Sequence, residues 1–209
     1  MKVSKILTIA ALVPTALIAQ SSPDSIDQQG RTLLVLSIGL TASHQATVDA
    51  ANIAASGSGQ LAALAITHFV RPSVAIEIGT ALLAQDDYVV AGRAHHEAVT
   101  PLLVGVSWSP RALAVSPEIR PFVSVAAGPY LRSVSDASAF SGASATIQTA
   151  LGARLGTGAN WFFGRHFAVQ LEGDYHAAPE FDIENNARRN VSGFSLSGGL
   201  AFAWGGRAP

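Results

Sequence analysis

A strand-like stretch from Phe167 to Ala177 places charged side chains at alternate positions. Glu172 and Asp174 alternate with apolar residues, so they share one face of a β-strand. Arg154, one predicted strand earlier, faces the same way as these acids, as does Glu77 of a more distant strand. Charges removed from water must be paired. The spacing therefore predicts a network of Arg154 with Glu172, Asp174, Glu77 or a subset of them; the alternative is that water solvates these charges, unpaired, at the ends of the fold.

Three other stretches have some features of a ligand site. The segment GARLGTG (152–158) is like a phosphate-binding glycine loop, but it lacks the Lys-Ser/Thr ending and a following helix. The acidic segment 176–185 could hold a divalent cation, although a solvated loop is the simpler interpretation. His95 and His96 lie near acids and could bind a transition metal, but neighbouring residues of a strand point to opposite faces. We therefore predict no metal and no cofactor.

A lipid hydrolase would need a serine, a histidine and an acid within hydrogen-bond reach. Such residues occur near the ends of the last two predicted strands: His166, His176, Ser192, Ser195 and Ser197. No G-x-S-x-G nucleophile motif is present. The sequence therefore predicts no catalytic residues, and an enzyme is kept as an alternative.

The N-terminus has the charged, apolar and small-residue regions of a secretory signal peptide, in that order. Two lysines precede an apolar run from Ile6 to Ile18, and small residues and a polar stretch follow. The alternative is a buried or anchoring helix, but the run is short for a membrane span. We predict cleavage near Ala19, which gives a signal peptide at 1–19 and a short polar segment at 20–30.

The rest of the chain is predicted to consist mainly of β-strands. Of 209 residues 13% are charged, the net charge is −1 and there is no Cys; this balance argues against a nucleic-acid partner. Helical periodicity is weak everywhere, and its best candidate is 45–56. Strands are predicted at about 31–41, 61–70, 73–83, 99–108, 119–131, 146–161, 166–177 and 191–204.

The connections between these strands alternate in length. Those at 42–60, 84–98, 132–145 and 178–190 are long, whereas two of the others are hairpin turns and 109–118 is intermediate. An up-and-down barrel places alternate connections at opposite ends, and outer-membrane barrels have short turns at one end and long loops at the other. The pattern predicts an all-β, eight-stranded antiparallel up-and-down transmembrane β-barrel over 31–205, with a tail at 206–209.

The composition of the two faces predicts which one is inside. One face of each strand is aliphatic, and the other is small or polar with few charges, which suits a narrow lumen better than a soluble surface. The predicted lumen-facing polar residues beside the charge network are Gln148, Gln170 and His176. Aromatic residues near strand ends suit a membrane-interface girdle: Trp108, Trp161, Phe167, Tyr175, Phe202 and Trp204, with Tyr130 and Phe162 also near strand ends.

The sequence resembles the small outer-membrane β-barrel proteins, the eight-stranded group around the outer membrane protein A barrel. The resemblance rests on IRPFVSVAAGPYL (119–131), LGARLGTGANWFFGRHFAVQLEGDYHA (151–177) and FSLSGGLAFAWG (194–205). It implies a last strand whose terminal aromatic, Phe202 or Trp204, is read by the barrel-insertion machinery. This chain departs from that pattern because GGRAP follows Trp204. Members of the group include anchors, adhesins, narrow pores and enzymes, so the resemblance is specific for architecture.

These observations predict a non-enzymatic integral outer-membrane protein with a structural or surface-exposed role. It would be exported through the periplasm and be a monomer, with outer-membrane lipids and the insertion machinery as its partners. The alternatives are a narrow passive pore for small solutes, a lipid-modifying barrel enzyme, and a soluble secreted lipocalin-like barrel that binds a ligand.

Overall fold

A computed structural model of the chain describes residues 28–43, 58–90, 93–136, 146–178, 180–182, 188–190 and 192–206. Several sequence-based predictions lie outside these residues. They are the signal peptide at 1–19, most of the polar segment at 20–30, the helical candidate at 45–56 and most of the tail at 206–209.

The described chain is almost entirely β-strand, as predicted. One short 3-10 helix, Arg111–Leu113, interrupts the strands. No helix within the described ranges is both long enough and apolar enough to cross a membrane. The strands are β1 Arg31–Ser43, β2 Ser58–Arg71, β3 Val74–Leu82, β4 Ala84–Val90, β5 Arg93–Trp108, β6 Ile119–Asp136, β7 Thr146–Phe163, β8 Phe167–Ala177, β9 Glu180–Asp182, β10 Arg188–Asn190 and β11 Gly193–Gly205.

The main sheet closes on itself. Each strand pairs antiparallel with its neighbours in the order β3-β2-β1-β11-β8-β7-β6-β5-β4, and β3 also pairs with β5. β4 continues β3 along the same side of β5, with a break at Leu83. The nine strands of this sheet therefore make an eight-stranded closed barrel, which confirms the predicted architecture.

The two ends of the barrel differ. The end that we call the turn end carries Pro72–Ser73, the tight turn with Gly164 at φ 72°, and the 109–118 connection. In that connection the Ser116 hydroxyl donates to Glu118 at 2.7 Å, which holds the pKa of this carboxyl below its ordinary value. The opposite end, the loop end, carries the longer connections.

Two of the predicted loops contain strands. The segment predicted as a connection at 84–98 is a hairpin in which β4 pairs with the first half of β5. Part of the predicted 178–190 loop forms a small separate hairpin of β9 and β10. The 84–98 prediction was wrong because charged and small residues, which are typical of loops, also occur in paired strands.

The faces of the barrel are inverted relative to a soluble protein. Outward aliphatic side chains are highly exposed: Leu151 is 80% exposed, Ile38 74% and Leu200 70%. Inward positions hold small or polar residues, and Ala75 and Ala203 are fully buried. This confirms the predicted orientation of the period-two pattern.

The interior contains two apolar clusters. The one near the turn end includes Leu33, Phe69 and Phe162. The one near the loop end includes Leu61, Leu83, Val99, Leu103, Tyr130, Ala178 and Phe181. The charged residues lie between and around these clusters.

Candidate functional site: the charged barrel interior

Arg154 lies in the barrel interior among three carboxylates. Its guanidinium forms an ion pair and a hydrogen bond with Glu77. Its Nε atom is 3.5 Å from Asp174 Oδ1, and one terminal nitrogen is 3.8 Å from Glu172 Oε1. The structure therefore brings together the four residues of the sequence-predicted network.

Glycines of β7 make room for this cluster. Gly156 pairs with Asp174 of β8, and Gly158 pairs with Glu172. Because the inward position of Gly156 carries no side chain, the carboxylates of Asp174 and Glu172 can lean over β7 toward the Arg154 guanidinium. At Gly158 the Phe122 ring lies in the corresponding space. The glycines that look like a phosphate loop in sequence thus lie in the middle of a strand and border the charge cluster.

Polar neighbours complete the contacts of the two acids on β8. Gln170 Nε2 donates to Glu172 Oε2 at 2.7 Å, and the Ser195 hydroxyl lies 3.4 Å from Asp174 Oδ2. Since hydrogen bonds to a charged group are stronger than neutral ones, these contacts help to hold the acids in a buried position.

His176 is held between two hydroxyl groups. Its Nδ1 atom is 3.1 Å from the Tyr130 hydroxyl and its Nε2 atom is 3.3 Å from the Ser195 hydroxyl. The Tyr130 hydroxyl also reaches the carbonyl of Ala153 at 3.3 Å. Both ring nitrogens of this buried histidine therefore have partners.

A second ion pair lies toward the loop end, and sequence reasoning missed it. Arg132 Nε donates to Glu97 Oε1 at 2.5 Å, and both side chains are almost fully buried. Arg132 also donates to Gln148 Oε1 at 3.0 Å, which places this predicted lumen-facing residue beside the ion pair. Glu97 was assigned to a loop, and Arg132 lies one residue past the predicted end of its strand. The continuing alternation from Phe122 to Arg132 was the signal that could have revealed the pair.

The turn end of the interior is filled by aromatic and cationic side chains. The Arg31 guanidinium donates to the carbonyl of Arg165 and lies 4.7 Å from the centre of the Phe162 ring. Arg120 is also buried, and it donates to the carbonyl of Pro117 at 3.2 Å. Phe162 and Phe69 pack beside them.

Most of the predicted girdle aromatics lie on the outer face. Trp108, Trp161, Phe167, Phe202 and Trp204 are exposed near the turn end, and Tyr175 lies near the loop end. Phe163 contacts Trp161 with ring centres 4.5 Å apart, and Phe194 contacts Tyr175 at 4.9 Å. Neither Phe163 nor Phe194 was predicted as part of the girdle. Tyr130 and Phe162 are buried in the interior, so the suggestion that they belong to the girdle was wrong. Both follow the inward parity of their strands.

Two small cavities lie between described interior side chains. The one toward the turn end has a volume of about 20 Å³, and the one beside Arg154, Asp174 and His176 has a volume of about 40 Å³. Thr67, Glu77 and Gln170 line both of them. Because one water needs roughly 10–15 Å³ of such volume, each cavity has room for only a few water molecules.

The other candidate sites are less complete. Within the described ranges, no group of three or more His, Cys, Asp or Glu side chains is arranged to hold a metal ion. His95 and His96 lie in β5, opposite Tyr88 and Asp87 of β4. Ser195 contacts His176, but the second ring nitrogen of His176 faces a tyrosine rather than an acid.

Comparisons with known proteins agree on the fold. No protein-family model and no curated protein sequence matches the chain. The outer membrane protein OprG from Pseudomonas aeruginosa matches with a TM-score of 0.56 at 13% identity, over 85% of this chain and 97% of that one. Neisserial surface protein A matches with a TM-score of 0.53 at 12% identity, over 83% and 97%. AlkL, solved in lipid bilayers, matches with a TM-score of 0.51 at 15% identity, over 94% and 99%. The fold is therefore that of the eight-stranded outer-membrane β-barrels, as the sequence resemblance predicted.

Proposed function

We propose that the chain is an integral outer-membrane β-barrel protein, non-enzymatic and with a closed interior, that presents its long connections at the cell surface. The observation that carries this proposal is the inversion of the barrel faces. A belt of exposed aliphatic side chains surrounds a wall whose interior holds four arginines and four acids: Arg31, Arg120, Arg132, Arg154, Glu77, Glu97, Glu172 and Asp174.

The outer belt is what a lipid environment requires. Large apolar side chains such as Ile38, Leu151 and Leu200 are mostly exposed, and a continuous apolar surface of this kind is unfavourable in water. Closure of the sheet also satisfies the backbone groups of the strands, which an open edge in lipid would not. A soluble ligand-binding barrel would carry its apolar side chains inside, so the burial pattern argues against that alternative.

The filled interior supports a structural or surface-exposed role rather than the transport of solutes through the barrel. The turn end is occupied by Phe69 and Phe162, the centre by the Arg154 cluster, and the loop end by Tyr130 and the Arg132–Glu97 pair. The two cavities described between these layers each have room for only a few water molecules. A structural or surface-exposed role needs no continuous path through the barrel.

The proposal includes a route to the membrane. The N-terminal segment 1–19 would direct export to the periplasm, and the insertion machinery would place the chain in the outer membrane as a monomer surrounded by lipid. Membrane fractionation combined with heat-modifiable gel migration tests this location. Recovery in the aqueous periplasmic fraction, with no shift in migration on heating, would overturn it.

A narrow pore is the second candidate, because Thr67, Glu77 and Gln170 border both interior cavities and a small movement could join them. Planar bilayer recordings decide between the two. We expect no single-channel current steps from the closed barrel, and reproducible steps would favour the pore. Incubation of the folded protein with lipopolysaccharide tests the lipid-modifying alternative; deacylation or acyl transfer would contradict the non-enzymatic role.

A further inference from the structure

We propose that the β9–β10 hairpin is a lid on the loop end of the barrel, that Phe181 holds it shut, and that it opens while the barrel wall stays folded. The lid consists of Glu180–Asp182 and Arg188–Asn190. This inference goes beyond the structural role proposed above and does not depend on the membrane location. It rests on the separate sheet of the lid, on the burial of one side chain and on the cavity next to it.

The lid is a sheet of its own. β9 and β10 pair antiparallel with each other, with Asp182 opposite Arg188 and Glu180 opposite Asn190. This two-stranded sheet is separate from the sheet of the barrel. An isolated two-stranded hairpin is only marginally stable in water. Contacts between its side chains and the barrel must therefore hold the lid in place.

Phe181 provides such a contact. Its side chain is only 2% exposed, although it belongs to a three-residue strand outside the barrel sheet. It joins the apolar cluster near the loop end, whose other buried members are Leu61, Leu83, Val99, Leu103, Ala126, Tyr130 and Ala178. Burial of such a ring favours one state over another by roughly ten- to a hundredfold. Phe181 can therefore keep the lid closed most of the time.

Two hydrogen bonds hold the base of the lid at the rim of the barrel. The Ser192 hydroxyl donates to the Ala178 carbonyl at 2.8 Å and accepts from the Ala178 backbone N–H at 3.1 Å. Ala178 follows β8 and Ser192 precedes β11, and these two strands are neighbours in the barrel sheet. Because this clamp lies at the rim, the wall can keep its strand pairing when Phe181 leaves the apolar cluster.

The cavity of about 40 Å³ lies on the inner side of this cluster. Leu61 and Leu103 belong to the cluster and also line the cavity, whereas Arg154 and Asp174 line it within the charged interior. Departure of Phe181 removes a large side chain from the apolar layer between the cavity and the loop end. An open lid would therefore let water and small solutes reach the charged interior from the loop end.

A single introduced thiol can report this access, because the chain has no Cys. Ser197→Cys is a small change at a buried position that lines the cavity of about 40 Å³. Ser107→Cys is the matched control, since Ser107 is similarly buried but lines the cavity toward the turn end. Each full-length variant is refolded in detergent, and its reaction with a water-soluble methanethiosulfonate reagent is followed by mass spectrometry.

Phe181→Ala is then combined with each of the two cysteine variants. We expect it to accelerate the reaction of the Ser197→Cys chain roughly tenfold or more, as for the loss of a buried ring. The Ser107→Cys chain should react at an unchanged rate. Phe181→Leu keeps an apolar side chain and should accelerate the reaction less than Phe181→Ala does. The urea midpoint should stay close to that of the wild type, because a lid that opens locally contributes little to global unfolding.

Two outcomes would overturn the proposal. The first is an equal reaction rate of the Ser197→Cys chain with and without Phe181→Ala, whether fast or too slow to measure; Phe181 would then not control access. The second is an equal acceleration at both cysteine positions or a clear fall in the urea midpoint, because Phe181 would then belong to the core of the whole barrel. Neither result bears on the membrane location, which fractionation tests separately.

Discussion

Arg154 of β7 and Glu77 of β3 form an ion pair across the barrel interior, although their strands are not neighbours in the sheet. This contact joins opposite walls of the barrel by a single pair of side chains. Two other acids, Glu172 and Asp174, face the same guanidinium.

Replacement of Arg154 by alanine should destabilise the barrel strongly. The variant leaves three interior carboxylates without their cation, and removal of one partner from a buried ion pair typically costs roughly 3–5 kcal/mol. Urea unfolding in detergent measures the change. Arg71→Ala, which removes an exposed arginine at the turn end, is the control and should have little effect. Equal unfolding midpoints for Arg154→Ala and wild type would refute the network.

The Tyr130 hydroxyl should contribute to stability through His176. Tyr130→Phe removes the hydroxyl that lies 3.1 Å from His176 Nδ1 and keeps the ring in place. The loss of a buried partner costs about 1–3 kcal/mol, so the thermal midpoint should fall. Tyr175→Phe changes the same group on the outer face and should be nearly neutral. A similar fall in both variants would mean that the interior contact is not the cause.

Close approach between β1 and β11 should make Gly39 intolerant of a side chain. A Cβ at Gly39 would collide with the Leu196 carbonyl and lie 2.7 Å from Ser197 Cα. Since backbone atoms cannot move aside cheaply, Gly39→Ala should cost about 1–3 kcal/mol, as overpacking does. At Gly173 the nearest atoms are at 3.9 Å, so Gly173→Ala should change the urea midpoint little. A neutral Gly39→Ala would contradict the described register.

Fluorescence of the tryptophans should show that their rings lie at the membrane interface. All three tryptophans of the chain, Trp108, Trp161 and Trp204, lie on the outer face near the turn end. In lipid vesicles their fluorescence should be quenched more by lipids brominated near the headgroup than by lipids brominated near the bilayer centre, because such rings prefer the interface. The urea-unfolded chain mixed with the same vesicles is the control. Equal quenching by both lipids would contradict the prediction that these tryptophans form part of a girdle at the membrane interface.

Much of this architecture can be predicted because the strand pattern has a period of two. The alternation at Phe167–Ala177 identifies both faces of β8, and the same parity correctly turns Glu172 inward and Leu171 outward. The network around Arg154 follows from that parity, since an interior charge has few possible partners in a narrow barrel. In these strands, the side-chain orientation that the local alternation predicts is the one found in the folded barrel.

The wrong and the missing sequence-based predictions have a common physical origin, which is the placement of the strand ends. Tyr130 and Phe162 were assigned by their nearness to strand ends, although their parity placed them inside. The Arg132–Glu97 pair was missed because the strands extend beyond the segments that hydrophobicity marks.

The pairing of β1 with β11, from Arg31 opposite Gly205 to Ser43 opposite Gly193, has a consequence for biogenesis. One edge of β1 pairs with β2, but its other edge finds a partner only when β11, the last strand, is available. A partly synthesised chain therefore has two unsatisfied edges and no closed wall. Contacts so distant in sequence form slowly. Until they form, the free edges of β1 and of the last strand made are open to pairing with other chains.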